Sequence, residues 1–226
     1  MDFDNTPPFD LADYRHMQKA IPGVDGFYTL VRAIAETAIA RKGRILIVGA
    51  GGGRELEVLG PSDKTFAFTA VDPSTGMLDT AKACAAVAGA AERTEFIAGL
   101  VDDVPADAPF DAATSLLVMH FLPDDGTKLA YLSAIRDRMK PGAVLIHADV
   151  CLDGTGMFRR TVPSFLRHAV LAGLSEEQAA LGPDIISGMP TIGERRTRQL
   201  FREAGFTGTT LFYTGLWYRG WTCRAA

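Results

Sequence analysis

Cysteine is scarce: Cys84, Cys151 and Cys223 stand far apart in 226 residues, and no Cys-x-x-Cys spacing occurs. Neither a disulfide framework nor a thiolate zinc site is indicated, and buried thiols are the simplest reading. Long apolar runs are missing as well, so no stretch has membrane-spanning length. Nor is there a surplus of basic charge, since 23 Lys and Arg face 27 Asp and Glu for a net charge of −4. That balance gives no general attraction to phosphate backbones and argues against a nucleic-acid partner. The opening Met1-Asp-Phe-Asp-Asn is acidic where a signal peptide would be basic, so a cytoplasmic protein with no membrane partner is expected. What is there is a chain with 47% apolar residues, enough for one well-filled α/β core over residues 1–226.

Its most informative stretch is Arg44 to Arg54. The apolar run Ile45–Val48 breaks into Gly49-Ala50-Gly51-Gly52-Gly53, which reads as a buried parallel strand running into a glycine loop ahead of a helix. Such a loop lets a ligand lie against main-chain N–H groups at a helix N-terminus. A phosphate-binding P-loop needs Gly-Lys-Ser/Thr, and no lysine is present. A dinucleotide loop wants G-x-G-x-x-G; Gly49 and Gly51 fit, but Arg54 takes the third glycine's place. The remaining pattern resembles the glycine loop of class I S-adenosylmethionine (SAM) methyltransferases. A glycine-rich turn without a ligand is the alternative.

The next strand, Phe66–Val71, ends on Asp72, where a carboxylate can accept hydrogen bonds from both hydroxyls of a ribose. Val71-Asp72-Pro73-Ser-Thr-Gly-Met77-Leu78 closely resembles the second SAM motif, which implies that Pro73 and Met77 line the adenine. A helix over 74–88 leads to a third strand, Thr94–Ala98, and to Gly99-Leu100-Val101-Asp102. The family commonly carries Asp where this chain has Leu100. The adenine end is then held by the Val101 N–H and apolar contact, or by Asp102.

A fourth strand, Ala112–Leu117, precedes Val118-Met-His120-Phe-Leu-Pro123. Ligands of open parallel sheets sit beyond the carboxyl ends of the strands, so Leu116 to His120 should face the methionine part of the cofactor. His120 is a candidate base, with packing as its other reading. Lys140-Pro141-Gly142 turns into a fifth strand, Val144–Asp149, in which His147 and Asp149 share a face. Asp149 is either a base or a cap for the next segment.

N-terminal helices are expected over Leu11–Ile21 and Gly26–Ala40, joined by Pro22-Gly23. The resemblance implies a lid over residues 1–43, which makes Tyr14, His16 and Tyr28 candidate substrate contacts beside the plainer readings of packing and solvation. The stretch 151–190 is far longer than the ~2–6 residues usual for a strand-to-helix connection. Its pattern predicts a helix over Pro163–Leu171 and another that opens on Ser175-Glu-Glu-Gln178 and stops at Gly182-Pro183. This insertion is the expected seat of acceptor specificity, and a homodimer interface through Phe158, Phe165, Leu166 and Leu171 is its alternative use. Thr191-Ile-Gly-Glu194 reads as a further capping box, opening a helix to Ala204. A hairpin of 207–214 and 216–223 about Gly215 then closes the sheet.

The resemblance to the class I methyltransferases implies a Rossmann-like, seven-stranded, mostly parallel sheet with helices on both faces and the last strand antiparallel. The cofactor implied is SAM, bound by Gly49, Ala50, Gly51, Gly53, Asp72, Pro73, Met77, Leu100, Val101 and Leu116. The expected activity is in-line methyl transfer to an O or N atom of a small molecule, with His120 ahead of Asp149 or Tyr14 if a base is used. A weaker resemblance, through Ile21-Pro22-Gly23, the Leu116–Leu122 stretch and the late insertion, is to the tRNA wobble-uridine carboxymethyl transferases that use carboxy-SAM. Val24 and Ala180-Leu181-Gly182 depart from that group's pattern. Two other functions stay open: nucleic-acid methylation through Arg159, Arg160 and Arg195–Arg202, and binding without catalysis.

Overall fold

The computed structural model describes Asp4 and residues 13–226; Leu11 and Ala12 of the first expected helix lie outside the described residues. Seven strands form one sheet in the order β3-β2-β1-β4-β5-β7-β6. They are β1 (Lys42–Val48), β2 (Thr65–Asp72), β3 (Thr94–Ala98), β4 (Phe110–Leu116), β5 (Met139–Val150), β6 (Phe206–Gly215) and β7 (Tyr218–Ala225). β1 runs parallel to β2 and to β4, with Val48 opposite both Val71 and Ser115. β7 is antiparallel to its neighbours β5 and β6. The chain winds outward through β2 and β3 and then returns to the far side of β1, so the ends of β1 and β4 flank the switch point where such sheets bind ligands.

The alternation of side chains builds two cores from one strand. Ile45 and Ile47 pack with Phe66, Phe68 and Ile146 under helices α2 (Val24–Ala38), α3 (Arg54–Leu59) and α4 (Thr75–Val87). Leu46 and Val48 face the other way, with Leu145, Trp221 and Cys223, under α5 (Thr127–Asp137) and α8 (Glu194–Glu203). Ile45, Leu46 and Ile47 are wholly buried, each contributing about 1.5–3 kcal/mol. Among the described residues no helix is long and apolar enough to cross a membrane.

A third apolar cluster forms a roof beyond the carboxyl ends of the strands. It joins Ala20 and Ile21, next to the short helix α1 (Tyr14–Met17), to Phe165, Ala169, Ala179 and Ile186 of helices α6 (Thr155–Leu171) and α7 (Glu176–Ser187). Both helices are longer than the sequence pattern indicates. Pro163 lies inside α6 rather than in its first turn, because Phe158 and Phe165, seven residues apart on one face, both pack on Trp217, with ring centroids 5.4 and 4.7 Å away. That packing outweighs a cost of ~3 kcal/mol for an interior proline. α7 likewise continues through Gly182-Pro183, where Gly182 lets the Phe165 ring come close: a Cβ there would stand 2.6 Å from it. The Ser175–Gln178 capping box forms as expected. The Thr191–Glu194 box does not, since α8 starts at Glu194 on a Gly193 cap. Gly215 belongs to β6, and the turn is Leu216-Trp217, with Leu216 in the left-handed region at φ 53°. Trp217 is thereby sunk beneath the roof, and Tyr213 of β6 donates a 2.5 Å hydrogen bond to the Pro22 carbonyl on the roof's other half.

Candidate active site

The glycine loop is shaped by what surrounds it. Gly49, Gly52 and Gly53 all take positive φ (73°, 75° and 68°), which glycine adopts without strain. A Cβ would stand 2.3 Å from Val118 at Gly49, 2.5 Å from the Tyr14 ring at Gly52 and 2.7 Å from Cys84 at Gly53. Close packing of the loop on α4 thus falls to Gly53, one position before the site that Arg54 fills. Arg54 turns away to Asp25 and lies over the Tyr28 ring.

Asp72 ends β2 directly under this loop. Its Oδ2 accepts the Gly51 N–H and its Oδ1 the Ser74 N–H, each at 2.9 Å. Burial raises its carboxyl above the ordinary value, against the two N–H donors. A carboxylate offers about four lone-pair sites, so two remain for hydroxyl donors. Ser74 caps α4 by accepting the Met77 N–H, and Asp4 reaches back to the same helix end. Behind the loop, Glu55 is buried and pushed up to about 7, by burial first and then by the charge of Asp72.

These elements open on one cavity of about 500 Å³. Tyr14, Gly49, Gly51, Asp72, Pro73, Met77, Leu100, Val101, Leu116 and His120 line it, whereas Ala50, Gly53 and Asp149 stand behind its wall. Leu100 is 60% exposed at the rim, and its N–H is taken by Asp103 at 2.8 Å. Asp102 also borders the cavity. The Tyr14 hydroxyl is pushed up to about 12 by burial, which keeps it a donor rather than a base. Tyr28 lies in the core, edge-on to Phe27, and neither it nor His16 borders the cavity.

The far half of the cavity is walled by Met17, Ile21, Phe165, Ile185, Ile186 and Met189, with Gln18, Gln178 and Tyr218 as its polar side chains. Where the halves meet, the short turn Met119–Phe121 presents His120. His120 Nδ1 is hydrogen-bonded to Asp149 Oδ1 at the end of β5, which also accepts the Val150 N–H at 2.8 Å. Burial would raise the Asp149 carboxyl, but the His120 ring holds it below its ordinary value. Lys128, wholly buried on α5, donates to the Met119 carbonyl at 2.6 Å and so fixes that turn. Burial pulls its ammonium down, while Asp149 and Asp124 pull it up.

Glu55, Lys128, Ser115, Tyr131 and Gln18 are the site residues that the sequence pattern did not single out. One signal was available, the (i, i+3) pair Lys128 and Tyr131 on a single helix face.

The loop fits the cofactor that its pattern implies. A Cβ at any of its four glycines would stand 2.3–2.7 Å from a neighbouring side chain, and Asp72, which already accepts the Gly51 and Ser74 N–H groups, retains acceptor capacity. Residues 46–145 match a family model described as a methyltransferase domain. Among solved structures, the chain is similar to an O-methyltransferase family protein from Burkholderia thailandensis (TM-score 0.61, 12% identity), covering 89% of this chain and 58% of that one. It is similar as well to an O-methyltransferase family 2 protein from Planctomyces limnophilus in complex with apigenin (0.60, 17%; 81% and 50% covered). A third is N,N-8-amino-8-demethyl-D-riboflavin dimethyltransferase from Streptomyces davawensis (0.59, 20%; 90% and 56% covered). The chain thus spans little more than half the length of these proteins, and no curated protein matches it. Residues 46–145 thus match a methyltransferase-domain model, and the sheet order is the fold these neighbours share.

Proposed function

We propose that the protein methylates a hydroxyl oxygen of a neutral, largely apolar small molecule, with SAM as donor. The observation that carries this reading is His120, set in the cavity wall with Nδ1 tied to the buried Asp149. An amine with a free lone pair needs no base, whereas a hydroxyl must lose its proton to become a good nucleophile. Asp149 accepts from Nδ1–H, which leaves Nε2 as the atom that takes the hydroxyl proton.

SAM, when bound, supplies a methyl group on a positively charged sulfur. On this reading Asp72 accepts from the ribose hydroxyls, Pro73, Met77, Leu100 and Val101 line the adenine, and the Gly49–Gly53 loop and Leu116 hold the methionine part. Tyr14 covers the loop and donates from its hydroxyl. His120 retains the proton until it passes to solvent after the ether has formed, so charge and atoms balance. Most of the remaining acceleration comes from the walls, which hold the acceptor in line and exclude water.

The acceptor's character follows from the far half of the cavity, where none of the lining side chains carries a formal charge. Residues 13–43 and the insertion 151–190 act as the two halves of a lid. The O-methyltransferase neighbours, one of them holding apigenin, agree with such an acceptor. A nucleic-acid substrate is not favoured, because Arg196 pairs with Asp124 and Arg198 with Glu194 instead of forming a free basic groove. The test is a panel of phenols, alcohols and amines with SAM, read by release of the demethylated cofactor. His120→Gln should lower kcat on the best hydroxyl acceptor roughly 10²–10⁴-fold at unchanged SAM affinity. Wild-type turnover in that variant, or activity confined to amines, would refute the assignment.

A further inference from the structure

Behind the His120–Asp149 pair lies a second line of polar groups that the reaction as described does not use. Tyr131, which borders the cavity, has its hydroxyl 2.8 Å from Ser115 Oγ. Ser115 Oγ is 3.2 Å from His147 Nδ1, and His147 Nε2 stands 3.9 Å from Asp149 Oδ2. His147 is wholly buried, its ring edge-on to Phe201 at 5.2 Å and stacked on Trp221 at 6.0 Å. Its Nε2 is buried and has no hydrogen-bond partner. Burial takes this imidazole down to about 4, so it is neutral near pH 7 and carries one N–H.

We infer that Tyr131, Ser115 and His147 form a directed positioning relay, each donating towards Asp149, which keeps that carboxylate ionised and leaves His120 Nε2 as the bare nitrogen facing the acceptor. This inference rests on the reading of His120 as the base. The direction follows from counting donors. With the proton on Nδ1, His147 would donate to Ser115, and its Nε2 lone pair would face a carboxylate oxygen inside the core. With the proton on Nε2, Nδ1 accepts the Ser115 O–H, Ser115 accepts the Tyr131 O–H, and Nε2–H points at Asp149 Oδ2. The second arrangement leaves no lone pair opposed to another, and unpaired buried polar groups are costly.

The charges around Asp149 agree with that direction. On α5 the Lys128 ammonium lies nearby and donates to Met119. On β7 Arg219 stands opposite Asp149 in the ladder, but its guanidinium donates to the carbonyls of Leu216 and Tyr218. Asp149 is therefore hydrogen-bonded to His120 through Oδ1 and faced at Oδ2 by His147 Nε2 across 3.9 Å. Ser115, His147 and Tyr131 are positioning residues; His120 alone of the set meets the acceptor's reacting atom.

The test has two arms. The chain has four histidines, so ¹⁵N-histidine labelling, assigned with His→Gln variants, resolves each ring. In the wild-type protein His147 should show a protonated Nε2 and a bare Nδ1, and His120 the reverse. A protonated Nδ1 on His147 overturns the relay whether or not an acceptor has been found, which separates its failure from failure of the proposed function. In the kinetic arm, Ser115→Ala and His147→Phe should each lower kcat roughly 10-fold or more while KM for SAM holds, and Ser115→Thr should restore it. Ser115→Ala is the smaller change and keeps the test standing if His147→Phe fails to fold. Wild-type kcat in a folded Ser115→Ala would likewise overturn it.

Discussion

Replacing Glu55 by Gln should stabilise the protein, and only where the pH is high enough for the difference to appear. Glu55 is 3% exposed at the start of α3, beside Asp72, and its carboxyl is pushed up to about 7 from an ordinary value of 4.5. The folded state thus binds this proton more tightly than the unfolded chain does. Below pH 4.5 both states are protonated and nothing is lost. Between 4.5 and 7 the unfolded chain releases the proton while the folded one keeps it, so stability falls as pH rises, and it levels off above 7. A gap of roughly 2.5 pH units at 1.36 kcal/mol per unit amounts to about 3 kcal/mol. Glutamine keeps the shape of the neutral acid and cannot ionise. Glu55→Gln should then equal the wild type near pH 4 and exceed it at pH 8 by up to ~3 kcal/mol, or roughly 6–12 °C in Tm for a chain of this size. Urea unfolding at pH 4, 6 and 8 measures it directly. A difference independent of pH, or a variant less stable at pH 8, would refute the argument that burial governs this carboxyl.

Asp72→Ala should weaken SAM binding by at least an order of magnitude, because hydroxyl donors lose a charged partner; equal affinity by calorimetry would remove Asp72 from the ribose site. Gly182→Val puts a methyl-bearing carbon where even a Cβ stands 2.6 Å from Phe165. That change should raise KM for the acceptor several-fold with SAM affinity intact, whereas a loss of SAM binding would show that α7 walls the cofactor instead.

Most of the sheet was legible because buried parallel strands read as apolar runs between glycines and carboxylates. Ile45–Val48 and Phe66–Val71 end where the ligand side begins, at Gly49 and Asp72. What was hidden depends on contacts distant in sequence. Pro163 reads as a helix start, yet Trp217, 54 residues later, holds both aromatic residues of α6 and carries the helix past it. Gly182-Pro183 reads as a stop, and the Phe165 ring overrides it. Tyr131, Ser115 and His147 come from α5, β4 and β5. No local spacing joins them, and each alone looks like an ordinary polar residue. His120 and Asp149 were visible singly, as candidates at strand ends; that they bond to each other is a matter of register between neighbouring strands, which only the fold supplies.

The hairpin of β6 and β7 has a consequence for how the protein is made. Tyr213 holds Pro22 at one side of the roof and Trp217 holds Phe158 and Phe165 at the other. A chain leaving the ribosome presents its N-terminal part first, so residues 13–22 emerge about 190 positions before the residue that fastens them. Until Tyr213 and Trp217 are out, the strands that carry Gly49, Asp72 and His120 can pair while the cavity above them stays open to water. The nascent protein would then form its glycine loop early and enclose its cavity only once the β6–β7 hairpin is in place.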